Sequence, residues 1–141
     1  MMLRLTNVIY LELAGGKKIM DSLKISDSEW EIMKIIWQNS NCTAGEVIDA
    51  LKDKKEWQPK TVKTLIRRLV DKKALGYEQY KREYKYYPLA EEVDCVKEES
   101  KSFLQRVYRG SLKNMLLNFI EDESLTKEDI EELTRILEER K

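Results

Sequence analysis

Trp57-Gln58-Pro59-Lys60-Thr61-Val62-Lys63-Thr64-Leu65-Ile66-Arg67-Arg68-Leu69-Val70-Asp71-Lys72-Lys73 is the stretch on which the fold turns. Val62, Leu65, Ile66 and Leu69 recur at helical spacing and form one apolar stripe. Pro59 suits a first helical turn, where its missing N–H is no loss. The opposite surface carries Lys60, Thr61, Lys63, Thr64, Arg67 and Arg68. Short hydroxyl and long cationic side chains are the types that meet phosphate oxygens and base edges. The stretch holds six Lys or Arg and one acid, Asp71. By itself it fits a solvated basic helix face equally well, so its setting must decide.

Upstream, Ser26-Asp27-Ser28-Glu29 is a capping box, with Ser26 as N-cap and Glu29 three residues on. It opens a helix from Asp27 to about Asn39, with Trp30, Met33, Ile36 and Trp37 on one face and read as core. Asn39-Ser40-Asn41-Cys42 reads as a turn. Thr43-Ala44-Gly45-Glu46 is a second capping box and opens a helix through about Lys52, with Val47, Ile48 and Leu51 inward. Asp53 to Gln58 is a polar connection, and Trp57 covers the core beside Pro59.

Downstream, the run from Gly76 to Leu89 is rich in tyrosine, alternates, and turns at Lys81–Glu83. That is a β-hairpin pattern. Three helices followed by a hairpin is the winged-helix layout, in which the second and third helices form the helix-turn-helix and the third enters the major groove. The hairpin is the wing. Lys81, Arg82 and Lys85 are placed to meet backbone phosphates, and a plain solvated strand pair is the competing account.

From Glu91 the pattern turns helical again. One helix runs to about Tyr108 and is broken by Gly110, a second covers Ser111 to Glu121, and Thr126 caps a third. Leu112, Leu116, Phe119 and Ile120, then Ile130, Leu133 and Leu137, line apolar faces too extensive to stand beside a small winged helix uncovered. Burial against a second copy explains them most economically; a ligand-binding bundle is the competing account. The expected class is therefore mainly α with a small β-hairpin. A winged helix-turn-helix at 25–90 would be followed by a three-helix dimerisation domain at 91–141.

The 141 residues suffice for one or two small domains. Formal net charge is zero, which taken alone argues against nucleic acid, but the charge is unevenly spread. Lys24 to Ala90 carries 14 Lys and Arg against 10 Asp and Glu, whereas Glu91 to Lys141 carries 9 against 14. A basic front and an acidic back suit a binding domain followed by an assembly domain. Histidine is absent, which removes His-dependent triads and zinc-hydrolase motifs. Cys42 and Cys95 have no partner spacing and read as ordinary thiols of a reducing cytoplasm. No Gly-rich phosphate loop and no membrane-length apolar run is present. No convergent acid, base and nucleophile can be named, so the chain is expected not to be an enzyme and to need no metal or cofactor.

Residues 1–24 read differently, as a non-native or disordered extension. The stretch Leu3 to Leu13 makes a poor signal peptide, being interrupted by Asn7 and Glu12. Gly15-Gly16-Lys17 is what a ribosome-binding sequence yields when it is translated, so Met20 is the expected start.

From about Ile25 to Arg140 the chain resembles the penicillinase repressor family, winged-helix repressors of β-lactam resistance genes. The resemblance lies in Ser28-Glu29-Trp30-Glu31-Ile32-Met33-Lys34-Ile35-Ile36-Trp37 and in Trp57 to Leu69. Further on it lies in Tyr84-Lys85-Tyr86-Tyr87-Pro88-Leu89 and in Ser102-Phe103-Leu104-Gln105-Arg106-Val107-Tyr108-Arg109-Gly110. It implies a cytoplasmic homodimer on a palindromic operator, touching DNA through Lys60, Thr61, Lys63, Thr64 and Arg68. It also implies release by proteolysis at Ser102–Phe103 through a membrane sensor-transducer protease. The family's better-known members have Asn before that Phe, so Ser102 is a departure. A related copper-responsive branch carries a C-terminal cysteine cluster, and the tail from Leu125 to Lys141 has no cysteine. Two other functions remain open: a ligand-responsive winged-helix regulator of unrelated genes, and a protein-interaction winged helix without DNA binding.

Overall fold

The structure, a computed structural model, describes residues 23–140. In chain order it comprises α1 (Asp27–Gln38), β1 (Cys42–Thr43), α2 (Ala44–Leu51), α3 (Pro59–Asp71), β2 (Leu75–Tyr80), β3 (Glu83–Pro88), α4 (Glu92–Tyr108), α5 (Leu112–Glu121) and α6 (Lys127–Glu139). Two compact units part between Cys95 and Val96. That division falls inside the first turns of α4, because Cys95 is buried in the core of the first unit. The expected start at Met20 lies outside the described residues. Of the expected extension, Leu23 packs against the core and the Lys24 carbonyl accepts from Lys72 Nζ at 2.7 Å.

The capping boxes form as read. Ser26 Oγ accepts from the Glu29 amide at 3.2 Å while Glu29 Oε1 accepts from the Ser26 amide at 2.8 Å. Thr43 and Glu46 repeat this reciprocity at 3.1 and 3.0 Å, and Thr126 and Asp129 at 3.0 and 3.1 Å. Each box satisfies two backbone donors that a helix start would leave unpaired.

In the first unit α1, α2 and α3 enclose the core. Ile32, Met33, Ile36, Val47, Leu51, Val62, Leu65, Ile66 and Leu69 are buried in it. Trp30 and Trp37 are only half-buried, their rings 5.5 Å apart, and the wholly buried Ile32 takes the central place on α1. The Trp37 indole donates to the Ala90 carbonyl at 3.0 Å and so fixes the strand exit onto α1.

The sheet has the order β1-β3-β2, antiparallel throughout. The sequence pattern places Cys42 at the end of a turn. Instead Cys42 and Thr43 pair with Tyr86 and Lys85, making a third, two-residue strand. The turn before it is held by Asn41 in the left-handed region, φ 62°. Across the hairpin Gly76 faces Tyr87, whose ring lies where a Cβ on Gly76 would fall, 2.7–2.8 Å away. Only glycine leaves that ring its place.

The second unit holds the rest of α4 together with α5 and α6. Gly110, φ +86°, ends α4, as expected of the residue that breaks it. The Asn118 amide donates to the Tyr108 hydroxyl at 2.9 Å. No side chain of α5 or α6 is buried in the single chain.

Candidate nucleic-acid interface

The helix α3 owes its position to its underside. Val62, Leu65, Ile66 and Leu69 are each at most 5% exposed, and burying a side chain of this size stabilises by about 1.5–3 kcal/mol each, gross. A helix held so firmly on one stripe must present the other. Lys60, Thr61, Lys63, Thr64, Arg67 and Arg68 all lie exposed on it. No side chain caps its start, and Pro59 occupies the first turn. The Thr61 amide turns back to the Gln58 carbonyl at 2.9 Å, so the first turn is closed by backbone and no carboxylate or hydroxyl covers its positive end.

Thr64 is bound to its own helix: the Oγ1 hydroxyl donates to the Lys60 carbonyl at 2.9 Å. The residue is nonetheless exposed and offers a methyl and a hydroxyl oxygen. That is the equipment for packing on a thymine methyl or accepting from a base amino group.

At the far end α3 is anchored by an ion pair. Lys72 Nζ meets Glu29 Oε1 at 2.5 Å, and the Glu29 side chain is 2% exposed. Burial raises the Glu29 carboxyl, but the Lys72 hydrogen bond and those of the Ser26 amide and hydroxyl outweigh it. The group ends below its ordinary value of 4.5. In the sequence Lys72 is one of the six cations of the stretch and Glu29 a capping residue, with nothing to link them. The spacing of 43 residues between them carries no local signal.

Lys81 and Arg82 form the hairpin tip and are exposed, Lys81 in the left-handed region at φ 60°. Lys81 and Lys85 both stand over the Tyr80 ring, at 5.6 and 5.5 Å. Between the hairpin and α3 runs a groove of about 870 Å³, lined from α3 by Lys63, Ile66, Arg67, Val70 and Asp71 and from the wing by Tyr77, Arg82, Glu83, Tyr84 and Tyr86. Thr43, Ala44, Gly45 and Ile48 complete the lining along its lower edge. Lys63, Arg67 and Arg82 are each legible in the sequence as DNA contacts, but the tyrosines beside them are not. The alternation of the hairpin held that signal: it sets Tyr77, Tyr84 and Tyr86 on one face.

The thiols take no part. Burial pushes the Cys42 thiol up, with Glu46 adding to it. Burial, then Asp94, Glu91 and Glu92, pushes Cys95 to about 11. Both stay protonated and unreactive at neutral pH.

In the second unit Ser102 and Phe103 lie in the middle of α4. Arg106 engages both, donating from Nη1 to Ser102 Oγ at 3.2 Å and standing 5.9 Å from the Phe103 ring. Leu112, Leu116, Phe119 and Ile120 on α5, and Ile130, Leu133 and Leu137 on α6, are all exposed, from 40 to 63%.

Comparison with known proteins gives a consistent result. The model of the penicillinase repressor family matches residues 25–139. The chain is 44% identical over 118 residues to the penicillinase repressor of Bacillus licheniformis, covering 84% of this chain and 92% of that protein. To the methicillin resistance regulatory protein MecI of Staphylococcus aureus it is 39% identical over 117 residues, covering 83% and 95%. Among solved structures it is similar to the monomeric form of Bacillus licheniformis BlaI in complex with the blaP half-operator. That likeness is 41% in sequence and covers 50% of this chain and 87% of that one, with a TM-score of 0.46.

Proposed function

The chain belongs to the penicillinase repressor family, and we propose that it silences transcription by holding a palindromic duplex operator as a homodimer in the cytoplasm. The observation that supports this best is the exposed face of α3, where Lys60, Thr61, Lys63, Thr64, Arg67 and Arg68 stand exposed above a fully buried underside. In this reading Thr61, Thr64 and Lys63 reach base edges, while Lys60, Arg67, Arg68, Lys81 and Arg82 hold phosphates.

Pairing follows from the second unit. The apolar faces of α5 and α6, from Leu112 to Leu137, are uncovered in one chain and are the contact for a second. Two copies place two recognition helices about 34–36 Å apart, or a multiple of that. A half-site held by one copy is weak; joining both raises affinity through effective concentration. Whatever parts the copies therefore empties the operator. Cleavage of α4 at Ser102–Phe103 by a membrane sensor protease is the release step this reading adopts, with β-lactam resistance genes as the regulated class.

The test is the dependence of duplex binding on salt. Neutralised phosphates release counterions, so the affinity should fall about 10³- to 10⁵-fold between 50 and 200 mM salt for 6–10 contacts. Binding that is indifferent to salt, or absent at low salt, sinks the reading and leaves a protein-interaction winged helix.

A further inference from the structure

We propose that the groove between α3 and the wing is an effector site for a small aromatic carboxylate, whose binding excludes duplex DNA from the same face. The second half of this rests on the DNA-binding reading of α3; the first half does not.

The walls are aromatic and aliphatic. The register sets Tyr77 opposite Tyr86 and Gln79 opposite Tyr84, so three tyrosine rings share the face that lines the groove. Tyr77 meets Tyr84 edge-on at 5.3 Å and Tyr86 at 6.3 Å. Packed on each other, Tyr77 and Tyr84 are still 52 and 45% exposed. Half-buried Ile48 and Val70 line the helical side, backed by Ile66 from the core. A flat apolar body fits between such surfaces.

The rim is charged. Lys63 and Arg67 on α3 and Arg82 at the wing tip outnumber Asp71 and Glu83 among the lining residues. Arginine offers a planar fork that holds a carboxylate through two hydrogen bonds. One anionic group for the cations and one ring for the tyrosines would answer both kinds of lining residue. A DNA strand would satisfy the cations, but its hydrophilic backbone has no need of three tyrosines and two half-buried aliphatic side chains.

Gly45 adds a separate observation. Glycine is the poorest helix former after proline, yet Gly45 stands in the first turn of α2. A Cβ there would meet only Thr43 Oγ1, at 3.8 Å. Packing therefore does not demand glycine. Its bareness keeps the lower edge of the groove open.

Lys63, Arg67 and Arg82 are also the cations assigned to DNA. A ligand that engages them competes with the operator directly, without any change of fold.

The test is calorimetric titration of the full chain with 2-naphthoate, followed by its addition to a preformed complex with a fluorescent duplex. One site per chain with Kd below about 1 mM is expected, with 2-naphthamide about tenfold weaker for want of the charge-assisted bonds. Gly45→Leu should abolish the heat of binding with the unfolding midpoint retained, and Tyr84→Ala should weaken it about fivefold or more. Added 2-naphthoate should release the duplex in step with its occupancy. No heat of binding overturns the site. Heat that survives both substitutions places the probe on another apolar face and overturns it equally. Groove binding without release of the duplex overturns the exclusion. A chain that binds 2-naphthoate as stated but no duplex leaves the site standing and removes the DNA reading instead.

Discussion

Lys72 Nζ donates to Glu29 Oε1 at 2.5 Å and to the Lys24 carbonyl at 2.7 Å, so one ammonium ties the end of α3 to the start of α1. The carboxylate it meets is 2% exposed. Glu29 also closes the Ser26 capping box. The orientation of the basic helix is thus set from both sides, by an apolar stripe beneath and an ion pair at its end.

Replacing Lys72 with Met should therefore destabilise the fold by on the order of 3 kcal/mol, since the Glu29 carboxylate is left buried with only its Ser26 contact. Urea unfolding measures this. Duplex affinity should fall as well, since α3 loses one of its two anchors. A loss under about 0.5 kcal/mol would mean that water replaces the ammonium at no cost.

The same pair sets a pH dependence. Although burial alone raises it, the folded pKa of Glu29 lies below 4.5, because of Lys72 and Ser26. A carboxyl depressed in the folded state lends stability that is complete above its unfolded value and is lost as pH falls through its folded one. Unfolding free energy should hold above about pH 5 and decline below the ordinary carboxylate value. Glu29→Gln should make that decline shallower, with the Thr43-bound Glu46, whose pKa is also lowered, supplying part of what is left. An unchanged slope in the variant would remove Glu29 from the account.

The roles of Thr64 and Lys60 separate by substitution. Thr64→Ala should relax discrimination between the operator and a scrambled duplex by about 1–3 kcal/mol, whereas Lys60→Ala should weaken both alike. A gel-shift series on the two duplexes distinguishes them. Equal loss on both duplexes for Thr64→Ala would count against base readout.

The bond between Ser102 and Phe103 lies within α4, so a protease reaches it only when the helix opens. Arg106 holds the residues on both sides of that bond. Side-chain pairs of this kind on a helix contribute about 0.2–0.5 kcal/mol each. Arg106→Ala should raise the rate of thermolysin cleavage before Phe103 about two- to fivefold under native conditions. No change in rate would show that opening is governed elsewhere on α4.

Much of this was legible in the residues because the signals were local. Ser26 with Glu29 and Thr43 with Glu46 announce helix starts within three residues, and Val62 to Leu69 announce a buried stripe by period. Gly110 marks the end of α4, and Lys81–Glu83 the turn of the wing. What escaped was non-local. The pairing of Cys42 with Tyr86 is too short to show a strand period, and the Glu29–Lys72 bond joins two helices that look complete without it. The groove arises only when α2, α3 and the wing come together.

The central claim is that two copies of α3 read two halves of one duplex. Its most direct test is selection from a random duplex library by the full chain at low salt, with the complex then weighed by sedimentation. The account predicts an inverted repeat whose half-sites lie about one helical turn apart or a multiple of it, holding two chains per duplex. A chain that sediments as a monomer and enriches no sequence would contradict it.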